Sequence, residues 1–167
     1  MKKILSLTLA LAMVGTILTG CGSKDADTKT PAENTQQTAP VQQEQSQTEK
    51  ALALINTFAT GDTDTARSLL ADGYIQHNLA YGTGADAFIG SVEYLASADV
   101  KTTVNNIRAF EDGDKVFLQT VYNFAGAGEQ VAFDIFRFDE NGKIAEHWDV
   151  METIADQSTW QNENGKF

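Results

Sequence analysis

The sequence predicts an α+β domain, with helices first and an antiparallel sheet after them. Three observations predict it. Apolar residues recur at helical spacing between Ala51 and Leu95. From Val100 onward they alternate with period two. Turn signals at Glu111–Asp114, at Gly126 and Gly128, and at Asn141-Gly142 cut that second half into four strands. Helices and strands segregated along the chain mark the α+β class rather than alternating α/β units.

The first helix follows from Ala51, Leu52, Leu54, Ile55 and Phe58, with Thr48 as its expected N-cap and Gly61 as its end. Asp62 or Thr63 caps a short second helix with Ala66, Leu69 and Leu70 as its apolar positions, and Gly73 breaks it. Tyr74 to Asn78 read as a short strand. The third helix runs from Ala85 to Ala96, with Thr83 and Asp86 at capping-box spacing and Phe88, Ile89, Val92 and Leu95 as its buried side. The strands are then Val100–Phe110, Lys115–Phe124, Glu129–Phe138 and Lys143–Ile154. Gly82-Thr83-Gly84 is not a dinucleotide fingerprint, because the third glycine is misplaced and no parallel βαβ context follows.

The N-terminal region has a different character. Met1-Lys2-Lys3 is basic, and Ile4 to Leu18 follow without a charge. That stretch is short for a membrane span and has the layout of a secretory signal. It ends in Leu18-Thr19-Gly20-Cys21, which resembles a bacterial lipobox. The resemblance implies acylation of Cys21 and a chain anchored to the bacterial cell membrane, facing outside the cytoplasm. Several acyl chains give a stable anchor where one alone is marginal. Residues 22–47 contain both prolines and no aromatic residue, and are rich in Gln, Thr, Ala and Glu. Such a segment cannot bury enough apolar surface to order itself and is expected to be a disordered tether. The expected organisation is therefore 1–21 signal, 22–47 tether and 48–167 domain.

The 167 residues carry a formal net charge of -11, with 23 acidic residues against 12 basic. That balance argues against nucleic-acid binding, which needs a basic surface. A single cysteine excludes an intramolecular disulfide and a cysteine-based zinc site. No His-x-His or His-Glu-x-x-His spacing supports a metal site, so neither metal nor cofactor is expected.

The last hairpin is the most informative stretch. Ala132, Asp134 and Phe136 share one face of their strand, and His147, Asp149 and Met151 share one face of the next. A two-residue Asn141-Gly142 loop pairs Asp134 with Asp149 and Phe136 with His147. A four-residue loop pairs Asp134 with His147 instead. In either register the three polar groups lie on one sheet face, and directly paired side chains have Cβ atoms roughly 5 Å apart. Two facing carboxylates beside an imidazole share a proton more readily than both ionise, as general acid/base chemistry requires.

The stretch Phe133-Asp134-Ile135-Phe136-Arg137-Phe138 through His147-Trp148-Asp149-Val150 resembles the SnoaL-like branch of the nuclear transport factor 2-like superfamily. Tyr74-Ile75-Gln76-His77-Asn78 and the ending Asn162–Phe167 are similar to members of that branch. The resemblance covers residues 49–167 and implies a cone-shaped roll of helices on a curved antiparallel sheet. It implies that the mouth end of the first strand lies across the pocket from the last hairpin. The implied catalytic cluster is His77, Asp134, His147 and Asp149, with Leu54, Phe58, Phe136 and Met151 lining the ligand pocket. Asp134 matches the oxyanion-donating acid of ketosteroid isomerases and His77 their base, but Leu54 stands where they have a tyrosine. Steroid isomerisation is therefore not expected, since an enolate normally needs two donors.

Two uses of such a pocket stay open, because this fold hosts both enzymes and proteins with no chemistry. One is binding of a small apolar or carbonyl-containing molecule, or of a protein partner, without turnover. The other is a cyclase, isomerase or dehydratase acting next to a carbonyl. The opposite sheet face carries Val131, Phe133, Ile135 and Arg137 beside Ile144, Glu146, Trp148 and Val150. An apolar face of that extent marks an interface, and a homodimer through it is expected unless Asp156–Phe167 folds back over it.

Overall fold

The computed structural model describes residues 44–167. The signal segment, Cys21 and nearly all of the tether lie outside the described residues. Helix α1 (Gln47–Thr60) is followed by α2 (Thr63–Leu69), strand β1 (Leu70–Gln76), α3 (Ala85–Ser97), and strands β2 (Thr103–Asp112), β3 (Lys115–Asn123), β4 (Glu129–Phe138) and β5 (Ile144–Thr153). The α+β class and the order of elements are as the sequence predicts.

Helix α1 is capped by Ser46 rather than Thr48. The Ser46 hydroxyl accepts from the Glu49 main-chain N–H at 3.1 Å, and the Glu49 carboxylate accepts from the Ser46 N–H at 2.7 Å. That reciprocal box satisfies two helix-end donors, while Thr48 binds Glu111 on β2. Gly61 ends the helix in a left-handed conformation, where a Cβ would stand 2.8 Å from that of Ala96. Leu70 opens β1 instead of closing α2. Thr83 and Asp86 form no capping box at α3. The Thr83 hydroxyl accepts from the Gln76 N–H, and Asp86 pairs with Arg67.

One curved sheet runs in the order β1-β5-β4-β3-β2. Strands β2 to β5 form the expected antiparallel meander. β1 is parallel to β5, with Gln76 beside His147. The first strand is thus a neighbour of the last hairpin rather than its opposite across the pocket. The helices cover one face, and the core between layers holds Leu54, Phe88, Val92, Val116, Leu118, Phe136 and Ile144.

The β4–β5 register pairs Asp134 with Asp149 and Phe136 with His147. The loop that sets it has neither two residues nor four. The Gly142 N–H donates to the Asp139 carbonyl and the Asp139 N–H to the Lys143 carbonyl, so the loop is the three residues Glu140–Gly142. Gly142 takes the left-handed position (φ 67°), whereas Asn141 keeps a negative φ, which excludes a type I′ turn. A bulge at Ala145 then restores the register. The same bulge turns Ile144 into the core, away from the outer face expected for it.

Candidate functional site

Alternation along β4 and β5 sends Asp134, Phe136, His147, Asp149 and Met151 into a cavity of about 650 Å³ between the sheet and the helices. Ile55 and Phe58 of α1, Ala87, Gly90, Ser91, Tyr94 and Leu95 of α3, and Tyr122, Phe124 and Ala125 complete much of its wall. Phe58 packs on Phe88 (4.9 Å between centroids) and edge-on against Phe124, which stacks on Tyr122. The walls are apolar and aromatic, and the polar groups converge at one end. That is the usual build of a small-molecule site.

The polar end is tightly connected. Asp134 and His147 are buried, at 4% and 7% exposure. His147 Nε2 lies 3.2 Å from Asp134 Oδ1, and its ring stacks on Phe136 at 4.5 Å. The Tyr122 hydroxyl donates to Asp134 Oδ2 at 2.9 Å. The Asn78 side-chain amide donates to both oxygens of Asp149, at 2.8 and 2.9 Å. Burial, then the Asp134 charge, pushes the Tyr122 phenol well above its ordinary value. It therefore stays a neutral donor.

Gln76 determines which ring nitrogen of His147 carries hydrogen. Its Oε1 accepts from the Asn78 main-chain N–H at 2.9 Å, so that atom is the amide oxygen. The same oxygen lies 3.1 Å from His147 Nδ1, which must then be the donor. Nε2 faces Asp134 Oδ1. A hydrogen bond between the two atoms requires one proton, carried on either of them.

Of the sequence-expected residues, Asp134, His147 and Asp149 come together at the polar end, and Phe58, Phe136 and Met151 line the wall. His77 does not join them. It is on the outer sheet face, stacked on Trp148 (4.5 Å, 7° between planes), with Nε2 3.1 Å from Glu146 Oε2. Its pairing with Ile75 on one side of β1 is right, but that side faces away from the cavity. Leu54 is in the core and does not line the cavity; Ile55 does. Sequence reasoning missed Gln76, Asn78 and Tyr122. The alternation of β1 carried a signal for the first two, since they share the parity of buried Tyr74.

A cone of helices on a curved sheet, hollow between the layers and polar at one end, defines a pocket-bearing α+β domain. The chain belongs to the SnoaL-like domain family, whose sequence profile matches residues 51–147. Among solved structures it is similar to an NTF2-like protein from Cytophaga hutchinsonii, at 16% identity over 67% of this chain and 95% of that one, with a TM-score of 0.57. It is also similar to an epoxide hydrolase of M. tuberculosis, LEH-like, at 18% identity over 62% of this chain and 80% of that one (TM-score 0.54). A third is IdmH from Streptomyces antibioticus, a candidate polyketide cyclase, at 19% identity over 65% of this chain and 93% of that one (TM-score 0.52). These likenesses establish the NTF2-like fold. No curated protein matches the chain.

Proposed function

We propose that this domain binds a small, mostly apolar molecule with one oxygen function, and that it does so outside the cytoplasmic membrane, tethered through lipidated Cys21. The observation that carries the binding reading is the cavity of about 650 Å³, largely apolar and aromatic on its walls, with its ionisable acids and imidazole gathered at the Asp134–His147–Asp149 end. A carbonyl or hydroxyl of the ligand takes its hydrogen bonds there, and the ligand body packs on Phe58 and Phe124. The signal layout and the placing of the single cysteine support the tether.

Organic extraction of protein purified from its host, followed by mass spectrometry, tests the binding reading. An apolar compound of low mass is expected from the native protein and not from Gly90→Phe. Gly90 lines the cavity and a Cβ built there meets no atom within 4 Å, so the position has room for a side chain. Equal extracts from both proteins would refute the reading. Cys21→Ser should release the chain from membranes or leave its signal uncleaved, and a processed form still wholly on membranes would refute the anchor.

A second reading is favoured by the buried contact between His147 Nε2 and Asp134 Oδ1, 3.2 Å apart. A buried pair that holds a proton beside a ligand carbonyl can donate it as negative charge develops on the oxygen, with Asp149 as the accepting base. This is acid/base catalysis of the isomerase, cyclase or dehydratase type. Turnover of a carbonyl-substrate panel that Asp134→Asn abolishes and His77→Ala spares would establish it.

The outer face supports a homodimer. Phe133 and Val150 remain 55% and 72% exposed. The C-terminal segment covers only part of that face: the Lys166 carbonyl accepts from Gln119, and the Lys166 ammonium pairs with Glu152. Sedimentation of the detergent-solubilised chain as a single monomer would count against the dimer.

A further inference from the structure

The polar end of the cavity gathers three potential ligands from two neighbouring strands. Donor atoms of Asp134, His147 and Asp149 lie within 4.8 Å of one another. Each is oriented by a residue outside the trio. Gln76 takes the Nδ1 hydrogen of His147, Tyr122 donates to Oδ2 of Asp134, and Asn78 donates to the Asp149 carboxylate. What stays available is the Nε2 lone pair, Oδ1 of Asp134 and the remaining lone pairs of Asp149. Histidines that bind metals characteristically give their other ring N–H to a carbonyl or carboxylate oxygen, as His147 does.

Two further observations point to a cation rather than to a structural hydrogen-bond network alone. His147 is buried, at 7% exposure, and its Nε2 lies 3.2 Å from Oδ1 of Asp134, the spacing of two adjacent ligand atoms on one metal ion. Among the described residues neither lysine nor arginine lines the cavity, so no ammonium or guanidinium faces the two carboxylates there.

We infer that Asp134, His147 and Asp149 form a site for one divalent transition-metal cation, with its remaining coordination positions open to the cavity. One imidazole with two carboxylates suits zinc, iron(II) or manganese better than calcium or magnesium, which favour all-oxygen sets. The cation replaces the proton between Nε2 and Oδ1, and that proton passes to solvent. Two carboxylates then balance its charge. His147 contacts Asp134 from β4 and Gln76 from β1, Tyr122 from β3 and Tyr74 from β1 bond those two partners, and Asp149 is on its own strand. Ligand distances of about 2.0–2.2 Å require the trio to draw together, and Asp149, the half-buried member, is the one to move. The inference deepens the pocket reading, on which it rests only for what fills the open positions.

The full chain, solubilised in mild detergent and stripped with a chelator, is titrated with Zn²⁺ by calorimetry and with Co²⁺ by visible absorption. One equivalent should bind, with proton release. Asp149→Asn should weaken binding by about 100-fold or more, and Gln76→Leu, which unlocks the ring, by roughly 10–100-fold. Circular dichroism melts like those of the parent show that the variants fold. No saturable binding up to about 1 mM Zn²⁺, or equal binding by the parent and Asp149→Asn, would overturn the inference. Ligand retention is measured in parallel on metal-free protein. A retained molecule without metal binding overturns this inference alone, whereas metal binding with an empty pocket overturns the pocket reading alone.

Discussion

Oε1 of Gln76 on β1 lies 3.1 Å from Nδ1 of His147 on β5, and this single contact sets the tautomer of the only histidine in the cavity. Parallel pairing of the two strands puts the residues side by side. Replacing Gln76 by Leu removes the acceptor and leaves a buried ring N–H unmet. The expected cost is about 1–3 kcal/mol. Long-range proton–nitrogen NMR should show hydrogen on Nδ1 in the parent and a mixture of tautomers in Gln76→Leu. A parent ring with bare Nδ1 would refute the assignment.

Tyr122 and Tyr74 give the protein an alkaline limit. Burial, reinforced by the Asp134 and Asp149 charges, raises both phenols above their ordinary value of 10.0. The folded values exceed the unfolded ones, so this contribution is whole below pH 10.0 and is lost as pH rises toward the folded values. Stability in urea should fall above that pH, with the phenolate absorbance of these two rings developing as the fold is lost. Tyr122→Phe should flatten part of the fall, while destabilising the neutral protein by about 1–3 kcal/mol through the unmet Asp134 oxygen.

Glu146 acts at the acid end. Hydrogen bonds from Arg137 and then from His77 hold its carboxyl below the usual 4.5. The folded value is the lower one, so this stabilisation is present above pH 4.5 and lost as pH falls through the depressed value. Urea midpoints measured between neutral and acid pH should drop less for Glu146→Gln than for the parent. Because the pair lies near the surface, added salt should shrink the difference.

His77→Ala separates the two sheet faces. The ring stacks on Trp148 and touches nothing in the cavity, so its loss should change Trp148 fluorescence and leave ligand retention and any turnover within error. A loss of ligand comparable to that of Gly90→Phe would return His77 to the site.

The sequence discloses alternation more readily than orientation. Period two placed Asp134, His147 and Asp149 on one face correctly, because β4 and β5 are joined by a short loop that leaves few registers. It also paired His77 with Ile75 correctly. It could not tell which side of β1 faces the helices, since that depends on the parallel pairing with β5, a contact between residues about seventy positions apart. The family resemblance points to the titratable His77 rather than to its amide neighbours. Gln76 and Asn78 look like ordinary strand-end residues until their partners are in place. The hairpin loop is a subtler case: Asn141-Gly142 suggests a two-residue turn, yet the Asp139 side chain accepts from both the Asn141 and Lys143 N–H groups and favours the longer loop. The bulge at Ala145 cancels that extra residue, so the expected register survives a different turn. For α1, Glu49 lies three residues after Ser46, at capping-box spacing, whereas Thr48 has Ala51 at the same offset.

A crystal structure of the protein purified from its host, without added ligand, tests the central claim most directly. The account predicts density for one compact, mostly apolar molecule against Phe58 and Phe124, with an oxygen within hydrogen-bond reach of His147 or Asp149. A cavity filled by its own side chains, or holding only water, would contradict it.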